Sequence, residues 1–265
     1  DDVESRGLGD VYKRQDIDKL IEGTNEILTA NRNSLQLFDM LHSMRQFDDL
    51  TYVHSVNVAL IASILGQWLK FSEKDIRILT ISGLLHDIGK IMIPNEILTK
   101  PGKLTVAEYN IMKQHVNFGY EKVKNQNIDI RIKEACLLHH EKCDGTGYPF
   151  GLKSDHIPAV AKIIAIADVY DAMTSARVYR GALCPFEVID TMYKDAFTKF
   201  EPEYILPFLK NVASSYINND VRLSDGRIGK VVLINENALS LPIVQCEDEF
   251  IDLSKTRGLT VSAIL

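Results

Sequence analysis

The residues best suited to chemistry begin with Gly83-Leu84-Leu85-His86-Asp87-Ile88-Gly89-Lys90, where an imidazole and a carboxylate stand side by side at the end of an apolar run. Imidazole nitrogen and carboxylate oxygen suit zinc, iron or manganese, and with two oxygens Asp87 could bridge two ions. Lys90 follows His86 by one helical turn on the same face, where an ammonium could hold a phosphate oxygen beside a metal. The same residues also read as a solvated pair at a capped helix end. A second stretch, His139-His140-Glu141-Lys142-Cys143-Asp144-Gly145-Thr146-Gly147-Tyr148-Pro149, joins two consecutive histidines to a Gly-rich turn. Packing rarely asks for that combination, although a surface loop with chance histidines would carry it too.

Three further positions are ambiguous singly. His54 opens an apolar helix face and His115 lies on a helix, and a lone histidine in either place reads more readily as a satisfied interior side chain than as a ligand. Asp168 ends the run Ile163-Ile164-Ala165-Ile166-Ala167, apolar on nearly every side. A buried carboxylate is costly unless paired or metal-bound, which favours a ligand there. In order, the series His, His-Asp, His, His-His, Asp supplies enough donors for two metals with positions left for water and substrate. Two metals roughly 3.5–4 Å apart can generate hydroxide, polarise a phosphoryl group and stabilise a leaving oxygen.

The elements that must position these residues are mostly helical. Ile17 to about Tyr216 carries helical patterning, with a first helix from Asp16 to about His42. Val53, Val56, Leu60, Ile64 and Trp68 form one face of a helix over 52–69. Ser72 opens the next, which Ile76, Leu79, Leu84, Leu85 and Ile88 continue. Thr105 and Glu108 form a capping box, so a helix from about 106 to 124 is expected after it. Further helices fall at 130–140, about 160–173, 185–198 with Pro185 in the first turn, and 203–216, where Pro207 is awkward. Three β-prone runs then appear, Arg227–Ile234, Pro242–Cys246 and Phe250–Leu253. The expected fold class is mainly α with a small β-rich C-terminal appendage, 16–217 helical and 218–265 β-rich. Residues 1–15 fit poorly with the rest of the chain, resemble translated adapter read-through, and are set aside as a non-native leader. A sensor domain or membrane anchor could have preceded the native start.

Composition narrows the function classes. The chain has 265 residues, 46% apolar and 25% charged, with a net charge of −6. That balance offers no positive field for a nucleic-acid polymer, while bound metals could still invite a small anion. No apolar run approaches the roughly 20 residues of a membrane span, so no membrane contact is expected of this segment. Cys136, Cys143, Cys184 and Cys246 make no C-x-x-C pair, which fits a reducing compartment and a cytoplasmic location.

Taken together the motifs resemble the HD-GYP family, a branch of the HD-domain metal phosphohydrolases. The matching pieces run from about 52 to 180 and add Ile97-Leu98, Lys100 to Thr105, His115 with Gly119, and Ile164 through Asp168, Val169, Tyr170, Asp171, Ala172, Met173, Thr174 and Ser175. The resemblance implies an HD-domain helical bundle and two divalent ions, iron or manganese being typical. His54, His86, Asp87 and Asp168 would hold one ion and Asp87, His115, His139 and His140 the other. It implies Lys90 at the scissile phosphate, Gly147 and Tyr148 in the substrate loop, and Arg177 and Arg180 as phosphate-binding arginines. The implied reaction is hydrolysis of cyclic di-GMP to pGpG and/or GMP, with a metal-bridging hydroxide attacking phosphorus. A mixed GMP-AMP cyclic dinucleotide and a non-catalytic cyclic-dinucleotide receptor are the alternatives, and a homodimer or an upstream sensor domain the expected partners. Leu50 stands where some members place a glutamate for a third metal, hence two ions rather than three. Val116 replaces a common proline, and Cys143 is an unusual residue for the loop.

Overall fold

The computed structural model describes residues 49–175 and 183–265. The leader, the helix expected from Asp16 to His42, and Arg177 and Arg180 lie outside them. Helix α1 (Asp49–Trp68) is the central element and packs on α2 (Glu73–Leu85) and α7 (Ala159–Thr174). Its buried face is Val56, Val58, Ala59, Ala62 and Leu65; of the expected stripe only Val56 is on it, since Val53 and Trp68 are exposed and Leu60 and Ile64 only half-buried. The expected stripe followed the bulkiest residues. The observed face also carries small residues, and α2 comes close at one of them: a Cβ on Gly83 would lie 2.5 Å from Ala59 Cα. Leu50–Trp68 is also long and apolar enough to cross a membrane, with mean hydropathy 1.2, contrary to the expectation of no such run. Half of that window is buried inside the protein.

Ser72 caps α2 by accepting from the Asp75 amide. The helix stops at Leu85 instead of continuing through Ile88. His86 and Asp87 form a turn, and a 3-10 segment, Ile88–Met92, comes next. Gly89 allows this segment to sit on α5 (His115–Val123): a Cβ there would lie 1.9 Å from the His115 carbonyl oxygen. Between them come the single-turn α3 (Asn95–Leu98) and α4 (Val106–Met112). Thr105 and Glu108 make the expected capping box at the start of α4. The single helix expected over 106–124 is broken at Lys113 and Gln114, so α4 and α5 are separate. The break frees the Met112 carbonyl to accept a bond from a side chain.

Helix α6 (Ile130–Leu138) ends at His139, and α7 carries the apolar run that leads to Asp168. Helix α8 (Pro185–Asp195) stops short of Thr198, and α9 (Pro202–Ser214) runs through Pro207. The tail forms one antiparallel sheet from β1 (Asp220–Leu223), β2 (Ile228–Leu233), β3 (Ile243–Cys246), β4 (Glu249–Asp252) and β5 (Val261–Ile264), in the order β4-β3-β2-β1-β5. Strands β1 (burial alternating exposed and buried) and β5 were not anticipated as separate strands, although both lie inside the region expected to be β-rich. One apolar core runs from the helices into the sheet, joining Phe186 and Phe208 to Val221, Val231 and Val244.

Candidate metal centre

Five histidines and two aspartates converge from three helices, α1, α5 and α7, and from the turns that follow α2 and α6. Asp87 is the hub. Its Oδ2 lies 3.6 Å from His54 Nε2 and 3.2 Å from His86 Nε2, and its Oδ1 lies 3.3 Å from His115 Nε2 and 4.0 Å from His139 Nε2. Asp168 completes the ring, 3.0 Å from His54 Nε2 and 3.9 Å from His140 Nδ1. Asp87, His115, His139 and His140 place donor atoms within 4.8 Å of one another, the set the resemblance implied for one ion. The other implied set divides: His54, His86 and Asp87 form one group, and Asp168 falls with His86 and His139.

Helix ends aim the imidazoles. The last carbonyls of a helix lack the usual partner four residues on, and three histidines bond to carbonyls in these last turns, His139 sharing Ala135 O with its own backbone N–H. His86 donates Nδ1–H to Gly83 O at 2.8 Å, His115 to Met112 O at 2.8 Å, and His139 to Ala135 O at 2.9 Å. Each bond fixes the tautomer and turns the Nε2 lone pair inward. His115 Nε2 and His139 Nε2 therefore face each other at 3.4 Å with no proton between them. His86 Nε2 and Asp87 Oδ1 are buried with no hydrogen-bond partner, at a cost of about 1–3 kcal/mol each. A divalent cation would offset that cost, and the donor set suits one chemically.

The charge states agree with this. Burial pulls the His139 imidazole well below its ordinary pKa, lowers that of His115 and lowers that of His140 to about 3, so all three are neutral ligands near pH 7. Burial by itself would raise Asp87 and Asp168. Interaction with the adjacent His86 ring and the Lys90 charge outweigh it at Asp87, and the His54 hydrogen bond and charge at Asp168, holding both well below the usual carboxylate range. His54 is the exception: burial opposes its charging, but bonds to Asp168 and Asp171 prevail and raise it to about 9. A metal ion held by His54 would have to displace that proton.

Reading motifs alone missed two residues. Asp171 Oδ2 accepts His54 Nδ1–H at 2.7 Å, and Ser175 donates to its other oxygen at 3.0 Å. Its three-residue spacing from Asp168 was the available signal. Glu141, 4% exposed, accepts three backbone N–H groups, from Phe150 (2.7 Å), Gly151 (3.1 Å) and Leu152 (2.9 Å). That clamp holds the loop so that Tyr148 stacks on the His140 ring, centroids 4.7 Å apart. Gly147 has a packing reason: a Cβ would lie 2.4 Å from Glu141 Cα. Cys143 pins the loop through its backbone, donating to Lys199 O and accepting from Ser154 N–H. Lys90 donates to Asp87 Oδ2 at 2.6 Å, which places its ammonium beside the cluster. His156 stands outside the cluster.

Comparison with known proteins agrees with the geometry. A family model described as HD domain matches residues 20–204. The chain is 36% identical over 203 residues to the cyclic di-GMP phosphodiesterase PA4108 of Pseudomonas aeruginosa, covering 76% of this chain and 49% of that protein. It is 32% identical over 204 residues to the 3'3'-cGAMP-specific phosphodiesterase 2 of Vibrio cholerae, covering 76% and 39%. The chain thus spans about half the length, or less, of these curated relatives. Among solved structures, Bd1817, an HDG"Y"P protein from Bdellovibrio bacteriovorus, shares the fold with a TM-score of 0.52 at 20% identity, covering 74% of this chain and 62% of its own. With the matching family model, the helical bundle and the His-Asp cluster in agreement, this chain belongs to the HD-domain family.

Proposed function

We propose that this chain is a metal-dependent phosphodiesterase of the HD-GYP type that hydrolyses cyclic di-GMP to pGpG and/or GMP, using two divalent ions, iron or manganese. The observation that carries the reading is the pair of facing Nε2 lone pairs of His115 and His139, beside the unpartnered His86 Nε2 and Asp87 Oδ1. His54, His86, Asp87 and Asp168 would hold one ion, and Asp87, His115, His139 and His140 the other. Divalent metals bound there activate water and neutralise charge on a phosphoryl group. The chain's own side chains do the rest. Lys90 keeps its ammonium at Asp87 Oδ2 with a side chain 21% exposed, so it reaches a phosphate oxygen from the edge of the cluster. Tyr148 covers the His140 side and limits water there. Arg177 and Arg180 are assigned to the substrate phosphates on the resemblance. The printed activities of the two relatives support the substrate class.

A second reading, a mixed GMP-AMP cyclic dinucleotide as substrate, is favoured by the Vibrio cholerae relative. The test is metal-reconstituted protein, with iron under anaerobic conditions and separately with manganese, given cyclic di-GMP and the mixed dinucleotide in parallel. Products are resolved by chromatography beside an Asp87→Ala control. Linear product that the control lacks supports the phosphodiesterase, and the faster substrate decides between the readings. Tight binding of both without product would replace the enzyme with a receptor. Wild-type turnover and metal content in Asp87→Ala would show the centre to be misplaced.

A further inference from the structure

Resting on the cyclic-dinucleotide reading, the geometry points to a second anion site beside the metal centre: we propose that Lys113 takes the phosphate of the substrate that is not being cleaved. Lys113 occupies the break between α4 and α5, two residues before His115. Its Nζ lies 5.3 Å from the centroid of the Tyr109 ring and 6.0 Å from that of Tyr148. Tyr148 in turn stacks on His140 and lies 6.5 Å, centroid to centroid, from His115. The ammonium therefore sits at the rim of the cluster, on the side the substrate loop closes.

Three features set this lysine apart. It is half-buried, yet among the described residues no carboxylate lies within 4.0 Å of it, whereas Lys90, Lys100 and Lys162 each hold one. Two tyrosine faces hold it in place, and cation–π contact steadies an ammonium without neutralising it. The helix break that aims the His115 imidazole also places Lys113 at the turn, so the two cannot move independently. Charge and chemistry then meet. A cyclic dinucleotide carries two phosphodiesters, and with Lys90 and the metal ligands at the scissile one, the other calls for a cation on the Tyr148 side of the cluster, in addition to Arg177 and Arg180, which the resemblance assigns to the substrate phosphates. Lys113 is such a cation, and the flanking Tyr109 face, about half exposed, suits a base stacked beside it.

The test compares two substrates of metal-loaded protein. One is the cyclic dinucleotide; the other is bis(p-nitrophenyl) phosphate, which has a single phosphodiester and nothing for a second site to hold. The readout is the ratio of kcat/KM for the first to kcat/KM for the second. For Lys113→Gln this ratio falls about tenfold or more, mostly through KM of the cyclic dinucleotide, in line with loss of a charge-assisted bond. Lys113→Arg restores most of it, because the guanidinium keeps the charge. An unchanged ratio, whether both rates hold or both fall together, overturns the second site and leaves the phosphodiesterase standing. Cleavage of the p-nitrophenyl ester with no turnover of any cyclic dinucleotide by the unmodified protein overturns the substrate reading itself, and the second site with it.

Discussion

Glu141→Gln is nearly isosteric and should still open the loop that carries Tyr148. In the structure Oε1 accepts from the amides of Phe150 and Gly151, and Oε2 from that of Leu152. A carboxamide has only one acceptor oxygen. Its better orientation keeps that oxygen on Phe150 and Gly151 and turns an NH2 group toward the Leu152 N–H, donor against donor. One bond to a charged acceptor is lost, worth about 1.5–3 kcal/mol, and the other two lose their charge assistance. The segment should therefore open at a cost lower by about 2 kcal/mol, a roughly thirtyfold loss of protection. Native-state hydrogen exchange reads this at the amides of 150–152, with α7 amides as the internal standard. Unchanged protection at those amides would refute the clamp. An equal loss across α7 would also refute it, since that would make Glu141 a general stabiliser. Because Tyr148 is carried by the same loop, its stacking on His140 should loosen in the variant, visible as a change in tyrosine fluorescence.

Asp171→Ala leaves His54 Nδ1 without its acceptor and should weaken metal affinity by about ten- to a hundredfold, measured by competition with a chromophoric chelator; unchanged affinity would remove Asp171 from any supporting role. Gly89→Ala places a carbon 1.9 Å from the His115 carbonyl oxygen and should cost about 3 kcal/mol or more, so a melting temperature equal to the unmodified protein would contradict the packing described. Lys100 and Thr105 hold Glu108 below its ordinary value, to about 2. A depressed carboxylate stabilises fully above its unfolded value of 4.5, and that contribution is lost as pH falls through about 2. The difference in melting temperature between the unmodified protein and Glu108→Gln should therefore shrink over that window, and a constant difference would show the capping box to be electrostatically silent.

The helical body was legible because helix signals are local. A capping box at Thr105 and Glu108, a proline at 185 and the periodicity of 160–173 need only neighbouring residues to be read. What failed needed distant partners. The break at Lys113 follows from where α5 must meet the 3-10 segment through Gly89, and strands β1 and β5 exist because they pair with each other. The buried face of α1 differed from its bulkiest stripe because α2 and α7 pack on it, α2 coming close at Ala59.

For the site the division is similar. Side-chain chemistry determined the donor types: histidine and aspartate in that order suit a divalent metal whatever the fold, and Lys90 beside them suits a phosphate. The tertiary structure alone decided which nitrogen each imidazole presents, since that depends on carbonyls in the last turns of α2, α4 and α6. It also decided that Asp171 supports His54 across 117 residues of chain and that the Glu141 carboxylate serves the loop and not the metal. The physical reason is that a residue's type is carried by its own atoms, while the direction of a lone pair is set by the hydrogen bond its neighbour accepts, and that neighbour is placed only when the helices pack.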